Sequence, residues 1–192
     1  QDLLVYAVKG IAMYAQRAAQ LDRRDRTIGR FVAEALFTTV TNVNFDAESM
    51  LAWLRKAGEV KERAKALYAE GARAAGREPE ELEGPAAWTP AATREEMLAQ
   101  AALYSLERRL KERDETIVGL EELVTYGVKG MAAYVDHAAI LGQEDDAVYD
   151  FIYEALDKLT QELSADQLLG LALEVGRVNV RAMELLDLAN TG

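Results

Sequence analysis

Cysteine is absent from this 192-residue chain, and histidine occurs once, at His137. Without thiols the chain can form no disulfide and no thiolate nucleophile. By itself it can hold neither a Cys-type zinc site nor a cysteine-ligated iron–sulfur cluster. Proline is nearly missing as well: Pro79, Pro85 and Pro90 are the only three, all in one short segment. Apolar runs are short and interrupted by charges, so no stretch suits a bilayer crossing. A basic segment followed by an apolar one is not found at the start, which argues against a signal peptide. Positive charge is in deficit, with 22 Lys and Arg against 33 Asp and Glu and a net charge of −11. Nucleic acid is therefore not an expected partner, since its binding needs clustered cations to displace counterions.

What remains is rich in Ala, Leu, Glu, Arg and Lys, half of it apolar. This composition favours helices around a core of useful size. The main internal signal is a repeat. Leu3 to Tyr14 returns as Leu123 to Tyr134, and the register holds without a gap through Phe31–Leu36 and Phe151–Leu156. Fifteen of the first 36 positions are identical at an offset of 120. Toward the end the offset becomes 118, aligning Gly58, Val60, Arg63, Ala64 and Leu67 with Gly176, Val178, Arg181, Ala182 and Leu185. Each copy is expected to be one supersecondary module.

The periodicity predicts an all-α chain of two tandem three-helix bundles. Repeat 1 covers residues 1–76, a proline-rich linker with a connecting helix covers 77–117, and repeat 2 covers 118–192. Helices are expected over about 2–21, 27–41, 46–75, 94–113, 118–141, 145–161 and 165–189. Asn42–Phe45 reads as a turn, with Asp46 as N-cap. Thr93 with Glu96 and Ser164 with Gln167 fit capping boxes. Charge divides unevenly between the repeats: residues 1–76 carry 12 basic and 9 acidic side chains, residues 119–192 carry 4 and 14.

Tyr6-x-x-x-Gly10-x-x-x-Tyr14 and Tyr126-x-x-x-Gly130-x-x-x-Tyr134 set two phenols around a glycine on one helical face. Glycine inside a helix costs about 1 kcal/mol relative to alanine, so close approach of a second helix is the expected reason for both. A tyrosine relay is the alternative. Lys9 and Lys129 adjoin the glycines, and Glu34 and Glu154 recur once per repeat. Structural Lys9–Glu34 and Lys129–Glu154 pairs are expected; a metal-free enzyme using these lysines as nucleophiles is the competing reading. A di-iron carboxylate site needs two Glu-x-x-His pairs. His137 follows Tyr134 at that spacing, and its repeat counterpart is Arg17, so this site is not available. No catalytic or metal-ligating residue emerges.

The motif Asp2–Ile11, its echo Glu122–Tyr134 and the ending Val175–Asn179 through Met183–Gly192 resemble the hybrid-cluster protein family, also called prismane or hydroxylamine reductase. The resemblance covers essentially the whole chain and corresponds to the family's all-helical first domain. It implies a parent cytoplasmic oxidoreductase acting on hydroxylamine or nitric oxide, with a cubane iron–sulfur cluster and a hybrid iron–sulfur–oxygen cluster. The family's cluster ligands lie outside the matching span, so the expectation is a scaffold domain without cofactor of its own, excised from a longer enzyme and inactive alone. Its expected partners are the remaining domains, or a second copy through exposed apolar surface, and neither nucleic acid nor membrane. A stand-alone helical interaction module, docking a basic partner on its acidic second half, is the alternative.

Overall fold

The computed structural model describes residues 1–41 and 47–191. The expected turn at Asn42–Phe45 and the cap at Asp46 lie outside the described residues, as does Gly192. Eight α-helices appear among the described residues: α1 (Asp2–Ala19), α2 (Arg26–Thr41), α3 (Ala47–Ala74), α4 (Arg94–Leu103), α5 (Leu106–Glu112), α6 (Glu115–Ile140), α7 (Asp146–Lys158) and α8 (Ala165–Thr191). A 3₁₀ turn, Gly84–Ala87, interrupts the linker. The described residues include no strand, and none of these helices is long and apolar enough to cross a membrane.

Local chemistry explains the boundaries. Thr93 and Glu96 form the expected capping box, Thr93 Oγ accepting from Glu96 N–H at 3.2 Å and Glu96 Oε2 from Thr93 N–H at 3.2 Å. Ser164 and Gln167 do the same at the start of α8. Gly76 and Gly142 end helices with φ of 71° and 88°, the left-handed conformation that glycine adopts most readily. One helix was expected over 94–113, yet the chain breaks at Tyr104. Ser105 turns extended, and its hydroxyl accepts from Arg108 N–H at 3.3 Å, restarting the helix as α5. A serine placed to cap is a helix start as readily as a helix interior.

The packing departs from two self-contained bundles. α1 packs chiefly on α3 and α6 on α8, as repeat partners should. The second helix of each repeat, however, lies more against the first helix of the other: α7 against α1, and α2 against α6. Buried residues of both repeats, from Leu4, Ile11 and Leu36 to Met131, Ile152 and Leu168, join one core. The apolar faces of α2 and α7 thus cross between repeats and lock them together.

This exchange also accounts for the uneven charge. Arg24 reaches Asp150 at 3.0 Å, and Arg30 pairs with Glu144. At the 120-residue offset, position 24 corresponds to 144 and position 30 to 150, so the two contacts are reciprocal. Arg26 pairs with Asp146 at 2.8 Å, its own counterpart in the other repeat. Such i-to-j and j-to-i matching is the pattern of a two-fold interface, here within one chain. At this junction a Cβ on Gly29 would lie 2.8 Å from the Tyr149 ring, so glycine leaves room for the tyrosine that replaces it in the other copy. Arg17 and Asp157 add a further cross-repeat pair at 3.0 Å. A second set of pairs is conserved between the copies. Asp25 caps α2 through Thr27 and accepts from Arg63 at 2.5 Å. Asp145 caps α7 through Ala147 and accepts from Arg181 at 3.0 Å.

Candidate functional site

Where α1, the 3₁₀ turn, α5 and α6 converge, they enclose a cavity of about 210 Å³. Tyr6 and Lys9 come from α1, Arg109 and Arg113 from the connecting helix and its end, and Glu121, Glu122 and Lys129 from α6. Three positions singled out in the sequence, Tyr6, Lys9 and Lys129, therefore meet in one place. The helix exchange and the linker bring them together across 120 residues.

The carboxylates here are already engaged. Glu121, buried, accepts both Arg113 amino groups at 2.8 and 2.6 Å. Glu122 accepts from Arg109 at 2.7 Å. Asp2 accepts the Leu106 backbone N–H at 2.8 Å, tying the start of α1 to the start of α5. The lysines differ: neither Lys9 nor Lys129 forms a hydrogen bond or ion pair with a described residue. Lys129 Nζ lies 5.1 Å from the Tyr126 ring centroid, within cation–π range. Burial lowers the Lys9 pKa to about 8; Arg109 adds to the shift, while Glu121 and Glu122 oppose it. Lys129 is lowered in the same direction, again chiefly by burial. On the other wall, Tyr6 stacks on Tyr104 with ring centroids 3.7 Å apart. Burial pushes the Tyr6 phenol above its ordinary value, with the Tyr104 hydroxyl adding to the shift.

The expected lysine–glutamate pairs are not formed. Glu154 pairs with Lys158 one helical turn on, at 2.6 Å, and Glu34 is exposed on α2 with Asp136 as its electrostatic neighbour. The exchange of α2 and α7 between repeats carries both glutamates away from the lysines. The glycine expectation also needs correction. Gly10 does face a close approach, but from the linker and not a helix: an added Cβ would lie 2.2 Å from the Pro85 carbonyl oxygen. At Gly130 nothing lies within 4 Å of such a Cβ. The tyrosines diverge likewise. Tyr14 is buried with Tyr68 6.3 Å away, Tyr134 packs partly on the core, and Tyr126 is 62 % exposed. His137 is exposed and meets Phe37 edge-on at 5.2 Å.

Arg109, Arg113, Glu121 and Glu122 escaped the sequence reading. Their only linear signals are two arginines four apart and an adjacent glutamate pair, both ordinary on a helical surface.

A model of the Prismane/CO dehydrogenase family matches residues 1–192. Curated relatives include the hydroxylamine reductase of Rhodospirillum rubrum, 44% identical over 193 residues, covering 100% of this chain and 35% of that protein. The hydroxylamine reductase of Burkholderia ambifaria is 47% identical with the same coverage. That of Chlorobaculum tepidum is 44% identical over 191 residues, covering 33% of its length. The chain thus spans about a third of the length of the curated relatives it matches. Iron–sulfur clusters, which the family resemblance implies, do not fit the residues present. The chain has no cysteine, and among the described residues no group of three or more His, Asp or Glu side chains is placed to hold a metal.

Proposed function

The chain belongs to the Prismane/CO dehydrogenase family, and from that membership we propose that it is the helical scaffold of a hydroxylamine-reducing enzyme, with no catalytic centre of its own. The observation that carries this reading is a match over all of the chain to only about a third of each hydroxylamine reductase, in a sequence without cysteine. Reducing nitrogen substrates needs a redox centre, and its ligands would come from the remainder of such an enzyme. The chain's own contribution is rigidity and surface. One core spans both repeats, and reciprocal ion pairs fix their junction. Along α8, Leu169, Leu173, Val180, Met183 and Leu188 remain exposed, apolar area suited to a neighbouring domain or, as the alternative, to a second copy.

The stand-alone module reading loses its main attraction. Several carboxylates of the acidic second repeat, Glu144, Asp146, Asp150 and Asp157, are engaged by arginines of the first. They are not free to attract a basic partner.

The test is a chimera in which this chain replaces the matching third of the Rhodospirillum rubrum hydroxylamine reductase. Scaffold function predicts a chimera that takes up iron and reduces hydroxylamine. A chimera that folds and binds iron but stays inactive would count against the reading.

A further inference from the structure

The cavity between α1, the 3₁₀ turn, α5 and α6 combines two features that neither a scaffold nor a helix crossing requires. It presents four cationic side chains, Lys9, Arg109, Arg113 and Lys129, against three carboxylates, within a chain whose net charge is −11. Glu121 and Glu122 are engaged by the arginines and Asp2 by the Leu106 N–H, whereas neither ammonium group forms a hydrogen bond or ion pair with a described residue; Glu121 and Glu122 act on Lys9, and Glu122 and Asp2 on Lys129, only at longer range. Beside them the wall is apolar, formed by Val5, Leu103, Leu159 and the stacked Tyr6–Tyr104 pair.

We propose that this cavity is a binding site for a small organic carboxylate, whose charged end meets Lys9 and Lys129 while its hydrocarbon body lies against the tyrosine stack. The cavity carries one more cation than carboxylates, with Lys129 buried and Lys9 partly so; holding that excess charge away from water is unfavourable, and a ligand carboxylate between the two ammonium groups removes the cost. Size is consistent: a cavity of about 150 Å³ holds benzene, and this one, at about 210 Å³, has room for a ring and a carboxylate. Ligand sites are commonly apolar clefts with a few convergent polar groups. Inorganic oxyanions would use the lysines but gain nothing from the aromatic wall.

Isothermal titration of the 192-residue chain with benzoate tests this, with benzamide as the uncharged isostere and sulfate as the purely inorganic anion. Benzoate is expected to bind saturably at pH 7, benzamide not measurably, and sulfate more weakly than benzoate. Lys9→Met and Lys129→Met should each weaken benzoate about tenfold, whereas Lys65→Met, on the exposed face of α3, should leave it unchanged. Lys9→Arg, which keeps the charge, should retain most of the binding and guards against a loss through misfolding. Raising the pH through the Lys9 pKa of about 8 should also weaken binding, with Arg109, Arg113, Glu121 and Glu122 as the charged groups facing it. Equal binding of benzoate and benzamide, sulfate binding as tight as benzoate, full retention in both methionine variants, or no saturable benzoate binding would each overturn the proposal.

Discussion

Gly10 and Gly130 occupy the same position in the two repeats, and the structure predicts opposite responses to the same substitution. In Gly10→Ala the new Cβ would sit 2.2 Å from the Pro85 carbonyl oxygen and 2.7 Å from its carbon. A carbon–oxygen contact relaxes at about 3.3 Å, so the linker turn or α1 must move by about 1 Å. Backbone cannot rotate aside as a side chain can, which puts the cost near the upper end of overpacking, about 3 kcal/mol. Alanine returns about 1 kcal/mol through helix propensity, leaving a net loss of about 2 kcal/mol. For a chain of this length that lowers the Tm by about 4–8 °C. Gly130→Ala meets nothing within 4 Å in the middle of α6. It should gain up to about 1 kcal/mol and raise the Tm by about 2–4 °C. Urea titration and calorimetry of both variants measure the pair side by side. A Gly130→Ala protein destabilised like Gly10→Ala, or a neutral Gly10→Ala, would refute the argument that the linker, and not a repeated helix crossing, holds Gly10.

Further expectations follow from the charged groups. Lys9 has a folded pKa of about 8 against 10.5 unfolded, so protonated Lys9 lowers stability below pH 8, and the penalty fades as pH rises toward 10.5. Lys9→Met should accordingly be more stable than the parent at pH 7 by up to about 3 kcal/mol, with the advantage shrinking between pH 8 and 10.5 in urea titrations; an advantage independent of pH would contradict this. Asp25, Glu144 and Asp146 are held below the usual carboxylate range by hydrogen bonds from Thr27 and Arg63, from Arg30 and from Arg26 respectively. Their contribution is present above the unfolded pKa and is lost as pH falls through the folded one, so in urea titrations the parent's stability advantage over a variant lacking these pairs should be full at pH 7 and shrink toward zero on acidification; an advantage that stays constant into acid would contradict this. Arg17→Ala, removing the partly buried cross-repeat pair with Asp157, should cost about 1 kcal/mol. A double-mutant cycle with Asp157→Ala reads the coupling directly.

Much of the helical order was legible because period and caps are local. The Thr93 and Ser164 boxes each act within one turn of chain. The break at Ser105 was missed because a serine carries nearly the same signal inside a helix as at its start. What the periodicity could not convey was which helix each apolar face would meet. Phe31 and Phe151, Leu36 and Leu156 read as core in either arrangement. Only the tertiary fold sends α2 to α6 and α7 to α1. The same exchange separated Lys9 from Glu34 and Lys129 from Glu154. Sequence identity between the repeats identified the lysines as a pair. It could not foretell that a cavity built partly from the linker would gather them with Arg109 and Glu121. The uneven charge was visible as composition, yet its use as a reciprocal clasp required the 24–150 and 30–144 contacts.

A chain that supplies scaffold and not the redox centre should assemble no iron–sulfur cluster of its own. Anaerobic reconstitution of the purified chain with iron and sulfide, followed by iron quantitation and visible absorption, tests it most directly. No stoichiometric iron after desalting and no charge-transfer band are expected. Stoichiometric iron with a cluster-type absorption spectrum in this cysteine-free chain would contradict it.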